Sequence, residues 1–179
     1  MKLLVISDIH GNAFYMRKVD ELIEKENIDK IILLGDVYYY GPRLGFDNRY
    51  DPKEVKEILN KYADRIIAVR GNCDAEIDNE VSDFDLSKDY DYLDINNKRY
   101  YFTHGHLMEK FRDLFGNNIV FSGHTHVYNI YGNNINPGSV GLPKVNKEHT
   151  CIIMDNNTIK LIDLDNYNII DSRDIWLER

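Results

Sequence analysis

A chain of 179 residues suits one domain, residues 1–179, with a substantial core. Its 43% apolar and 29% charged residues fit a soluble globular protein, and a net charge of −8 argues against long nucleic acid or an anionic membrane as partner. The same charge repels a phosphorylated substrate unless something cationic sits in its site.

The N-terminal run Leu3 to Ser7 reads as a buried strand, followed by a turn at His10-Gly11-Asn12. A helix is expected from about Ala13 to Lys25, where Met16, Val19, Leu22 and Ile23 recur at helical spacing. Ile31 to Leu34 is a second continuous apolar run, closed by Gly35-Asp36, and the polar and aromatic loop "VYYYGPRLGFDNRY" follows. Asp51-Pro52 supplies a cap and a first-turn proline for a second helix that turns Val55, Ile58 and Leu59 inward. Ile66 to Val69 makes a third strand. Alternating strands and helices imply a parallel α/β half.

The second half changes character. Tyr90 to Ile95 and Arg99 to Thr103 flank Asn96-Asn97 and predict a hairpin. Leu107 to Phe115 suggests a short helix, and Ile119 to Ser122 is an apolar run ending at Gly123-His124. Cys151 to Met154 and Thr158 to Leu164 flank Asp155-Asn156-Asn157 as a second hairpin, and Ile169 to Trp176 suggests an edge strand. Two packed sheets with outer helices fit this order. The two cysteines, Cys73 and Cys151, form no C-x-x-C pair, the N-terminal apolar run is short for a signal peptide, and no segment approaches the roughly 18 apolar residues of a membrane span. A cytoplasmic location is expected.

Metal-ligand residue types gather at the strand ends: Asp8-Ile9-His10, Gly35-Asp36, Gly71-Asn72-Cys73-Asp74, Thr103-His104-Gly105-His106 and Gly123-His124-Thr125-His126. Five of the six histidines lie in these clusters, and only His149 stands outside. A lone aspartate after a strand is ordinarily a cap or turn former, and a lone histidine is more often hydrogen-bonded than ligating. Five clusters at successive strand ends are not what turn chemistry produces. Parallel strands deliver their loops to one edge, so at least the first three clusters converge, and a mixed Asp/His/Asn set suits divalent metals.

In this order, D-x-H, G-D, G-N-x-D, T-H-G-H and G-H-T-H resemble the calcineurin-like metallophosphoesterases. "GNCD" and the "NPGSV" of Asn136 to Val140 are similar to the small bacterial and archaeal YfcE-type phosphodiesterases. The likeness runs from Lys2 to about Asp163. It implies a four-layer α/β/β/α sandwich holding two divalent metals, with Asp8, His10, Asp36 and His126 at one and Asp36, Asn72, His104 and His124 at the other. Manganese is the first expectation for such a mixed O/N site; iron, zinc or nickel also suit it. The implied activity is hydrolysis of a small phosphodiester by a metal-bridging water. A phosphomonoesterase is the nearest alternative, and the Vps29 branch offers a non-catalytic protein-binding scaffold as another.

Much of the wider family resembles this chain except at Cys73, where it has a histidine that works with the following acid. Here the thiol can be a nucleophile, a ligand or a bystander. The bystander reading is favoured, because Asn72 already matches the ligand position and no phosphate-cradling loop of a Cys-dependent phosphatase is present. His106 and Asp74 are the candidate catalytic residues, His106 as a replacement cation and Asp74 at the rim. Arg43 is the candidate phosphate clamp, against the plain reading of a solvated loop arginine. Tyr38, Tyr39 and Tyr40 can stack a base or aryl group, or belong to the core or to a homo-oligomer interface.

Overall fold

The computed structural model describes residues 1–42 and 47–175. Two sheets pack face to face with helices outside, giving the four layers expected. The first sheet contains β1 (Lys2–Ile6), β2 (Lys30–Leu33), β3 (Ile66–Ala68), β8 (Thr150–Asp155), β9 (Thr158–Asp163) and β10 (Ile169–Asp174) in the order β10-β9-β8-β1-β2-β3. The second contains β4 (Tyr90–Ile95), β5 (Lys98–Thr103), β6 (Ile119–Ser122) and β7 (Asn134–Ile135) in that order.

β1, β2 and β3 run parallel, with Val5 opposite Ile32 and Ile32 opposite Ile67. Both faces of these strands are covered, which explains their unbroken apolar runs. Leu3, Val5 and Ile32 face the second sheet and pack with Tyr100, Phe102 and Phe121. Leu4, Ile6, Ile31 and Leu33 face the outer helices α1 (Ala13–Glu26) and α2 (Pro52–Asn60), against Met16, Val19, Val55 and Leu59. A smaller cluster of Tyr101, Phe115 and Val120 seats the 3₁₀ turn Met108–Phe111 and the short α4 (Arg112–Phe115) on the second sheet.

Local chemistry accounts for most element ends. Asn12 caps α1 by accepting from the Tyr15 N–H, and Asp51 caps α2 by accepting from Glu54 N–H at 3.0 Å, with Pro52 next in line. Asn96 and Asn97 both take left-handed dihedrals (φ 51° and 62°), the requirement of a tight hairpin turn between β4 and β5. Leu107 to Phe115 is a 3₁₀ turn running into α4 rather than one helix, and the last strand stops at Asp174; Trp176 lies outside the described residues. Helix α3 (Glu76–Val81) and the two-residue β7 were not expected.

Candidate metal centre

The loops leaving β1, β2, β3, β5 and β6 meet above the edges of both sheets and bring all seven expected ligand residues together. Their main chains are unusual. Asp8, His10, Asp36, His124 and His126 all have φ between 48° and 68°, a left-handed conformation that costs a non-glycine residue energy and persists only where surroundings enforce it. Those surroundings are visible: Asp8 N–H donates to Gly35 O at 3.1 Å, His10 N–H to Asp36 O at 3.0 Å and Gly123 N–H to His104 O at 2.9 Å.

Three imidazoles are fixed through one nitrogen. Nδ1–H of His10 donates to Tyr39 O (2.6 Å), that of His104 to Leu34 O (2.7 Å) and that of His126 to Leu142 O (2.6 Å). A carbonyl can only accept, so in the neutral ring each Nε2 is left as a lone pair aimed into the site. The rings of His10 and His126 stack at 5.1 Å with an angle of 19° between planes.

The carboxylates are divided in the same way. Asp8 Oδ2 accepts from Ser7 Oγ–H (2.7 Å) and His124 N–H (3.0 Å), and its Oδ1 is buried with no hydrogen-bond partner. Asp36 Oδ1 accepts from Cys73 N–H at 2.8 Å, and Oδ2 lies 3.6 Å from His10 Nε2 and 3.4 Å from His104 Nε2. Asp8 Oδ1 lies 3.3 Å from His126 Nε2 and 3.8 Å from His10 Nε2. His104 Nε2 is 3.0 Å from Asn72 Oδ1, another acceptor.

Six acceptor atoms therefore converge, and their neighbouring donors are engaged elsewhere. His10 Nε2 is likewise buried and unpartnered. A cation among them relieves the repulsion, and two triads, Asp8 with His10 and His126 and Asp8 with Asp36 and His104, each hold their donor atoms within 4.8 Å of one another. Such a set fits divalent metal ions. Without one, protons serve in part: burial disfavours the charged form of His104, but its hydrogen bond to Asp36 and the charges of Asp8 and Asp36 outweigh this and raise its pKa. Burial likewise opposes ionisation of Asp36, and His104, the Cys73 N–H and His10 overcome it, holding the carboxyl far below its usual range.

The remaining candidates divide. Asp74 does not point at the acceptor cluster; its carboxylate accepts from the main-chain N–H groups of Asp36 (2.8 Å), Val37 (2.8 Å) and Gly71 (2.7 Å), tying the β2 and β3 loops together. His106 lies beside the site, its ring 5.4 Å from His104 and 6.2 Å from His124, with Nδ1 buried and unpartnered. Burial and the neighbouring histidines lower its pKa, so it is no standing cation at neutral pH. Arg43 lies outside the described residues.

Cys73 is half-buried. Its Sγ lies within 4.8 Å of a His10 ring nitrogen and an Asp36 oxygen, and burial with Asp36, Asp74 and Asp8 around it pushes the thiol up to about 12. A thiol so reluctant to ionise is a poor nucleophile. Tyr38 is buried, whereas Tyr39 and Tyr40 line the site.

Residues missed in the sequence are those that act through the main chain. Ser139 Oγ–H donates to Asp8 O at 2.8 Å, and Asn136 Nδ2–H donates to Gly123 O at 2.8 Å. Their signal was the "NPGSV" segment, whose role no spacing rule reveals. Leu142 and Tyr39 contribute carbonyls, which carry no residue-type signal at all.

Residues 1–158 match the model of the calcineurin-like phosphoesterase superfamily domain. The chain is 36% identical over 176 residues to the phosphodiesterase YfcE of Escherichia coli K12, covering 95% of this chain and 96% of that protein. The solved structure of the E. coli phosphoesterase Yfce superposes with a TM-score of 0.89, at 36% identity, over 98% of this chain and all of that one. Vacuolar protein sorting 29 from Cryptosporidium parvum shares the fold, with a TM-score of 0.63 at 19% identity over 97% of both chains.

Proposed function

Because the chain belongs to the calcineurin-like phosphoesterase superfamily, we propose that it is a dinuclear, metal-dependent phosphodiesterase acting on a small phosphoester, a cytoplasmic enzyme whose residues 1–179 form one domain. The convergence of six ligating atoms, with the Nδ1 of each of the three imidazoles engaged by a main-chain carbonyl, carries this reading. Asp8, His10, Asp36 and His126 would hold one metal, and Asp36, Asn72, His104 and His124 would hold the other, with Asp36 common to both sets. Manganese suits the mixed donors best, and iron, zinc and nickel suit the same atoms. When bound, such a pair supplies Lewis acidity and activates water for in-line displacement at phosphorus.

The chain's own residues do the positioning. The Tyr39, Leu34 and Leu142 carbonyls keep three imidazoles in the ligating tautomer, a role that supports metal affinity by about 10- to 100-fold in comparable sites. Hydrolysis forms one P–O bond to the water oxygen and breaks one to the departing alcohol, whose oxygen must take up a proton. In this reading His106, whose ring lies beside His104 and His124, relays that proton rather than carrying a permanent charge. Similarity to the phosphodiesterase YfcE supports a diester as the substrate. The scaffold reading requires an impaired site, whereas all seven ligand residues are present and brought together.

Chelation abolishes turnover in this reading and manganese restores it. Asp36→Asn, which replaces an anionic ligand by a neutral and weaker one, lowers kcat/KM by about 100-fold. Turnover of bis-aryl against mono-aryl phosphate esters separates diesterase from monoesterase. Full activity in metal-stripped protein would overturn the proposal.

A further inference from the structure

The acceptor cluster opens into a cavity of ≈ 410 Å³, within the size range of small-molecule sites. Beyond the metal-binding side chains and Cys73, it is lined by the segments Tyr39 to Pro42 and Leu142 to Lys144. The polar floor thus carries a largely apolar wall with two aromatic rings in it and one cation beside it. Nothing in the metal chemistry requires that wall.

The two sides of the wall are built into the floor. Tyr39 O accepts from His10 and Leu142 O accepts from His126, so the residues that orient the stacked imidazole pair also present their side chains to the cavity. The two rings differ in their support. Gly41, at φ 92°, has the conformation that favours glycine, and a Cβ there would press on the Tyr39 ring at 3.1 Å. Tyr39 remains 48% exposed. Tyr40 leans on Tyr50 with ring centroids 5.1 Å apart, and Tyr50 in turn covers Gly11, where a side chain would overlap its ring. The Tyr40 ring, held against Tyr50, loses little freedom when a flat group lands on it.

From this wall we infer that the enzyme selects phosphodiesters in which the alcohol retained on phosphorus after hydrolysis carries a flat aromatic ring, bound between Tyr39 and Tyr40 on one side and Leu142 and Pro143 on the other. The inference rests on the phosphodiesterase reading. A monoanionic diester needs little further charge compensation, and Lys144 is the one lysine or arginine lining the cavity among the described residues. The cavity holds one ring and one phosphate rather than a polymer, in keeping with the acidic chain.

Two 4-nitrophenyl diesters with the same leaving group and different retained groups, phenyl and methyl, test this in manganese-supplemented protein. The expected kcat/KM ratio of phenyl to methyl is about tenfold, the scale of one ring stacking on an aromatic side chain, and is carried mainly by KM. Tyr39→Ala lowers the ratio below about threefold while manganese affinity, measured by calorimetry, stays the same, because the main-chain carbonyl that holds His10 remains. Tyr92→Ala, at an exposed ring on the second sheet, keeps the full ratio. A wild-type ratio near one, or a ratio that survives both Tyr39→Ala and Tyr40→Ala, overturns the aromatic subsite and leaves the phosphodiesterase reading intact. If neither ester turns over, phenyl phosphate and methyl phosphate are titrated into the same protein. A tenfold difference in Kd lost in Tyr39→Ala upholds the subsite and rejects the activity; equal Kd values overturn the subsite as well.

Discussion

Asp74 shows how an acidic residue next to a reaction site can serve structure. Its carboxylate reaches three main-chain N–H groups on two loops. Burial lifts its pKa in spite of the two largest of those bonds, from Val37 and Gly71, so it is kept for its reach rather than its charge. Asp74→Ala leaves three donors without a partner, at about 3 kcal/mol in total. Thermal melting should fall by about 6–12 °C for a chain of this size. Metal affinity should fall by about 10- to 100-fold, because Asp36 loses its anchor. His149 belongs to the same scale, though outside the metal centre. It is buried, stacks on Tyr15 at 3.4 Å between ring centroids and donates from Nδ1 to Val140 O at 2.7 Å. Burial holds its pKa below the usual value, opposed by the Val140 carbonyl and by Asp165 and Asp163, with Arg49 acting in the same direction as burial. The unfolded chain then binds a proton that the folded one refuses, so this residue makes stability fall as pH drops through about 6.5. His149→Gln should therefore lose less melting temperature than wild type between about pH 7.5 and pH 5.5, measured by parallel thermal scans.

The loops that follow the strands are set by glycines as much as by ligands. A Cβ on Gly71 would overlap Asp36 Oδ1 and the Asp36 main-chain nitrogen, and one on Gly35 would overlap Gly71 N. The β2 and β3 loops thus touch main chain to main chain directly beside the Asp36 carboxylate. Gly71→Ala should cost about 1–3 kcal/mol of stability by denaturant titration and displace Asp36, weakening manganese binding in the same protein. The elements were largely legible in the sequence for physical reasons. β1, β2 and β6 are continuous apolar runs because both of their faces are covered; α1 and α2 carry stripes and side-chain caps; Asn96-Asn97 announces its turn. Helix α3 was invisible because it buries no residue, its Ile77 and Val81 being exposed, and β7 is two residues flanked by asparagines. The convergence of the Asp, His and Asn side chains was legible because their chemistry resides in side chains. The carbonyls of Tyr39, Leu34 and Leu142 were not, since every residue has one.

At the scale of the whole molecule, the site is a clasp between two sheets. Asp8, His10, Asp36 and Asn72 follow strands of the first sheet, while His104, His124 and His126 follow β5 and β6 of the second. The sheets otherwise meet through the apolar layer of Leu3, Val5, Phe102 and Phe121. A ligand that binds only the folded state at about a hundredfold above its Kd adds about 2.7 kcal/mol. Manganese should therefore raise the melting temperature by roughly 5–10 °C and a chelator reverse it, with calorimetry as the measurement. His104→Ala, which removes a second-sheet ligand, should lose most of that gain.

The left-handed dihedrals at Asp8, His10, Asp36, His124 and His126 have a consequence for selection. At those five positions glycine or asparagine relieves the local backbone and removes or weakens a ligand. A pooled variant library sorted once for cellular abundance and once for catalytic output should rank those substitutions in opposite orders. Elsewhere in the core, the two rankings should agree. Five codons with opposed fitness would mark where the protein has accepted a less comfortable chain in exchange for chemistry.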